Sequence, residues 1–109
     1  MSAVQACDRL WRALERSAVA AGLTVTLAAQ AARPWSSPTF TGGKHQLVLV
    51  ADAGDGLSAW AGALDADAFE LPGHMISELK ASDIYTLAGR AELTIDAVTV
   101  ERAWLPEKP

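Results

Sequence analysis

His45, His74 and Glu78 are the residues of this sequence best suited to chemistry. Imidazole is the only side chain whose unperturbed titration lies near neutrality. Two imidazoles and a carboxylate could hold a metal ion or work as an acid–base pair. His45 opens the apolar run Leu47-Val48-Leu49-Val50, and His74 opens the next long stretch of strand character. If strand, helix and strand form a parallel crossover, both strand starts fall at one sheet edge and the two histidines become neighbours. Glu78 lies four residues beyond His74 on the same face of a regular strand, but that separation is about 13 Å, too far for one metal. The spacing is therefore not diagnostic, and the competing expectation is that each histidine caps a strand end or hydrogen-bonds a loop. No metal and no cofactor are expected.

Four other groups compete for attention. Cys7 is the one cysteine. It falls on the apolar stripe of a helix beyond the first turn, where a thiol behaves as a small hydrophobe rather than as a nucleophile. Asp52, Asp55, Asp65, Asp67 and Glu70 bracket a short helix, but position twelve from Asp52 is Ala63, so the calcium-loop pattern fails. A solvated turn with Asp65 as a helix N-cap is the simpler reading. Arg9, Arg12 and Arg16 form a basic stripe on the polar face of the first helix and, with Arg33 and Lys44, could meet an anion or RNA. Asp8 and Glu15 interrupt that stripe. Trp35 stands in a Pro/Ser-rich segment where no strand pattern buries it, so Trp35 and Phe40 are the candidate interface residues.

These residues must be positioned by a small number of elements. Residues 3–21 read as an amphipathic helix, with Val4, Cys7, Trp11, Leu14, Ala18 and Ala21 on one stripe, Ser2 and Gln5 as a capping box, and Gly22 at the C′ position. Alternation over 23–31 predicts a half-buried strand, broken by the prolines at 34 and 38. Thr39–Thr41, Gly42-Gly43 and Lys44–Ala51 read as a hairpin with a tight glycine turn. The strand over 45–51 is apolar on both faces, which predicts a central strand covered on both sides. A short helix over about 57–64 follows, then a further turn carrying Phe69. Two long strands over 74–86 and 90–103 are joined at Leu87-Ala88-Gly89. A parity change after Ile95 predicts a β-bulge near Asp96-Ala97. Trp104 is expected to close the core, and 105–109 to fray.

The predicted class is α+β in the order α-β-β-β-α-β-β: a mainly antiparallel five-stranded sheet with an N-terminal helix and a short second helix packed on it. Residues 1–109 form one domain, with no internal repeat.

Composition bounds the function. The chain has 109 residues, 50% of them hydrophobic and only 20% charged, with a net charge of −4. An acidic chain gains no general counterion-release energy on a phosphate backbone, so nucleic acid is a disfavoured partner. No apolar run reaches the roughly 18 residues of a membrane span, and the first residues lack a signal-peptide pattern. A single cysteine excludes an internal disulfide and suits a reducing, cytoplasmic setting. The chain resembles small alanine-rich bacterial proteins in composition, a likeness that assigns no residue. G-x-S-x-G, Walker, G-x-G-x-x-G and C-x-x-C motifs are all lacking. The leading expectation is thus a non-enzymatic binding or interaction module that self-associates as a homodimer. The alternatives are a small enzyme or metal site on His45, His74 and Glu78, and an anion- or RNA-binding face on Arg9, Arg12 and Arg16.

Overall fold

The computed structural model of the chain describes residues 3–101. The expected cap at Ser2, the strand end beyond 101, Trp104 and the tail lie outside the described residues. The elements run α1 (Ala3–Ala20), β1 (Thr26–Ser36), β2 (Thr41–Asp52), α2 (Asp55–Gly62), a 3-10 turn (Ala66–Ala68), β3 (His74–Leu87) and β4 (Arg90–Glu101). Among the described residues the strands form one antiparallel sheet in the order β1-β2-β4-β3. The α+β class, the antiparallel sheet, the N-terminal helix and the short second helix are as the sequence predicts. Each helix precedes a hairpin, so the chain is two consecutive α-β-β units joined at the central β2–β4 seam.

The strand count differs from five because the first hairpin turns earlier than expected. Its turn lies at Ser37–Phe40, where the Ser37 hydroxyl accepts from the backbone amides of Thr39 (3.4 Å) and Phe40 (3.1 Å). Serine at the first turn position and proline at the second are the usual residues for such a turn. β1 then runs through Pro34, which an edge strand tolerates, and β2 absorbs both Thr39–Thr41's last residue and Gly42-Gly43. Gly42 is needed for close approach rather than for a turn: a Cβ there would stand 1.9 Å from the Thr99 carbonyl oxygen.

α1 ends as expected. The amides of Gly22 and Leu23 donate to Val19 and Ala18 carbonyls at 2.9 and 2.8 Å, the paired bonds of a Schellman close. Its buried stripe is Ala6, Cys7, Leu10, Ala13, Leu14 and Ala18, one position around from the predicted one, so Val4 is exposed and Trp11 half-buried. The stripe packs on Leu47, Leu49, Ala51, Leu93 and Ile95, which alternate along β2 and β4. Burying each such leucine or isoleucine contributes roughly 1.5–3 kcal/mol. Trp60 ties α2 to α1 by donating to the Ser17 hydroxyl at 3.0 Å.

β2 is central, as predicted, but among the described residues only one face of it is covered. Val48 and Val50 on the other face are half-buried. The expected bulge in β4 is also absent: β4 pairs with β2 without interruption from Arg90 to Val100. Thr99 carries the buried parity that Val98 was expected to take. The irregularities lie in β3 instead, between Ile76 and Glu78 and between Ser82 and Tyr85. They fall on an edge strand, where an extra residue disturbs one ladder rather than two.

Candidate functional site

β2 and β3 run parallel to each other on either side of β4, which brings His45 and His74 to the same end and the same covered face of the sheet. Both are buried, at 4% and 1% exposure, with Thr99 at 0% in β4 between their strands. His45 Nε2 lies 2.8 Å from Thr99 Oγ1, whereas its Nδ1 is buried without a partner. A bare lone pair is cheaper to bury than an unpaired N–H, which places the ring proton on Nε2, donating to Thr99. His74 Nδ1 lies 3.4 Å from the Pro72 carbonyl, which also accepts from the Arg9 guanidinium. Burial pushes both imidazoles below the usual histidine range; the neighbouring His74 adds to this for His45, while the Pro72 carbonyl and Glu101 oppose it for His74. The pair is thus held neutral.

Glu78 does not join them. The β3 irregularity after Ile76 reverses the parity of the strand, so Ile76 is buried with the histidines while Glu78 emerges exposed on the opposite face of the sheet. The expectation that His74 and Glu78 share a face assumed an unbroken strand. Among the described residues no group of three His, Cys, Asp or Glu side chains stands close enough to hold a metal ion.

The remaining predicted residues fall as follows. Cys7 is buried and donates toward Gln30 Oε1 at 3.6 Å; burial and the neighbouring Asp8 push its thiol up to about 11, so it is not a thiolate at neutral pH. Asp65 caps the 3-10 turn by accepting from the Asp67 amide at 3.1 Å, and Asp52 accepts from Arg90 at 2.7 Å on the surface. Arg9 is half-buried against the Pro72 loop, leaving Arg12 and Arg16 as the exposed part of the helical stripe. Arg33 and Lys44 lie on the uncovered sheet face, away from α1. Trp35 is half-buried, and its indole donates to the Thr99 carbonyl at 3.2 Å across the space above Gly42. Phe40 is half-buried in the adjoining turn.

Sequence reasoning did not single out the uncovered face itself. A shallow groove of about 340 Å³ runs across it, lined by Arg33, Lys44, Gln46, Glu78, Lys80 and Asp96. Asp96 is fixed there by Gln46 at 3.3 Å and Ser82 at 3.1 Å. Further along, Val48, Thr94 and Val50 form a half-buried strip that leads to Tyr85 and Leu87, exposed at 63% and 66%. The signal was present as alternate positions of β2 and β4, which carry Lys, Gln, Thr and Asp between the core residues. No family model, no curated protein and no solved structure matches the chain.

Proposed function

We propose that the chain is a small interaction module that associates with itself, and that it acts by binding rather than by catalysis. One observation supports this reading above the others: among the described residues the helices cover a single face of the sheet, and the opposite face presents half-buried Val48 and Val50 and exposed Tyr85 and Leu87, with Glu92 between Val50 and Tyr85, beside a charged groove. Large exposed apolar side chains grouped on one face with polar neighbours are characteristic of contact sites. The catalytic alternative has less support, because its two imidazoles are buried and neutral while its carboxylate lies across the sheet. The helical arginine stripe is reduced by the engagement of Arg9. Trp35 and Phe40 border the proposed contact face at its charged end. A cytoplasmic setting belongs to the same proposal and accords with the unpaired, buried Cys7 thiol. No described helix is long and apolar enough to cross a membrane.

Sedimentation equilibrium over a wide concentration range tests the reading. A reversible dimer is the expected result; a strict monomer at the highest attainable concentration would refute self-association.

A further inference from the structure

Resting on that reading, we infer that the partner is a second copy of this chain laid face to face on the uncovered sheet, with the two-fold axis parallel to the strands and passing between β2 and β4. The strand register lays the open face out in rows. One row, from β3 to β1, is Glu78, Val98, Lys44, Arg33; the next is Lys80, Asp96, Gln46, Ala31. Arg33 and Lys44 are direct cross-strand neighbours of like charge, an arrangement that is unfavourable by itself. Among the described residues, the side chains of Arg33, Lys44 and Glu78 make no hydrogen bond or ion pair within the chain. A two-fold rotation about an axis along the strands exchanges the β3 side with the β1 side and keeps each row in place. Glu78 of one copy therefore stands over Arg33 of the other, next to Lys44, and the same contact occurs twice, as an isologous interface requires. An axis across the strands would set β1 over β1, which carries no carboxylate, and so leave Arg33 without an anion opposite it.

Side-chain size agrees with this choice. Apart from Arg33 and Trp35 at one end, the open face of β1 carries small residues, Thr26, Ala29 and Ala31, whereas that of β3 carries Lys80 and Tyr85. Exchange of the two edges sets large groups over small ones, as interdigitating sheets do. The available area is also sufficient. Four strands of some eleven residues cover about 19 Å by 36 Å at ordinary strand spacing and rise, or about 700 Å². A standard stable interface uses about 800 Å² per partner. Lys80 stands on an edge strand and can keep its ammonium at the rim.

Charge reversal tests the arrangement on exposed side chains, with circular dichroism and the melting temperature confirming the fold of each variant. The dimer dissociation constant is measured for the wild type, Glu78→Arg, Arg33→Glu and the same-chain double variant. Each single reversal is expected to weaken the dimer at least tenfold, and the double to return it to within about threefold of wild type. A dimer whose affinity none of the variants changes would overturn this interface while leaving self-association intact. Loss in the singles without recovery in the double would overturn the Glu78–Arg33 pairing. A wild-type monomer would overturn both the interface and the reading it rests on, and leave the face to a different occupant.

Discussion

At the scale of single residues, Thr99 joins three strands at one end of the sheet. Its carbonyl receives the Trp35 indole and its hydroxyl meets His45, while the missing Cβ of Gly42 makes room for both strands. Gly42→Ala should therefore cost at least about 3 kcal/mol, since the clash is with backbone that cannot rotate aside; chemical denaturation would measure it. Thr99→Val removes the hydroxyl that pairs with the buried His45 imidazole and should cost about 1–3 kcal/mol. The two histidines also predict a pH dependence. Their pKa values are lowered in the folded chain, so the unfolded chain binds more protons on acidification. Their contribution is complete above the unperturbed value of about 6.5 and is lost as pH falls below it toward the lowered folded values. Glu101 and Arg9, which face His74, modulate this in opposite directions. Melting temperature should fall between pH 7 and 5, and less so in a His45→Phe variant. The burial of Cys7 and the cap at Asp65 were legible from position within a helix and from turn chemistry. The role of Gly42 was not, because a glycine pair reads equally well as a turn and as a place where another strand comes close.

At the scale of elements, the two hairpins show what local sequence can and cannot settle. Alternation of Ala91, Leu93 and Ile95 marked β4 and its covered face, whereas the unbroken apolar run Leu47–Val50 marked β2 as a central strand without showing which of its faces the helices cover. The ends of β1 and the position of the β3 irregularity depended on which strand stands at an edge, and edge position is a property of the sheet rather than of the strand. The β3–β4 turn carries Ala88 at φ 53° and Gly89 at φ 79°, the pair of positive angles that a two-residue hairpin turn demands. Alanine is poorly suited to that region, at a cost of roughly 1–2 kcal/mol. Ala88→Asn should accordingly stabilise the chain by up to about 1 kcal/mol, read as a higher melting temperature with the hairpin unchanged.

At the scale of the whole molecule, the fold class was legible because helical and strand periods segregate cleanly along the chain. The strand order was not, since it depends on contacts such as Gly42 with Val100 that no local pattern encodes. The proposed dimer brings a further expectation: an interface held partly by Glu78 and Arg33 should weaken as salt rises and their attraction is screened. Sedimentation at low and high ionic strength would show it. The two α-β-β units have one more consequence, which concerns connectivity. The hairpins meet along β2 and β4, and the covalent link between the units is the short segment at Ala53-Gly54. That link adds one hydrogen bond at the seam, from the Ala53 amide to the Gly89 carbonyl at 2.9 Å, and it keeps the two halves at a high effective concentration. Cutting the chain there should turn folding into association, with two fragments that each lack half of a sheet and recover it by finding one another.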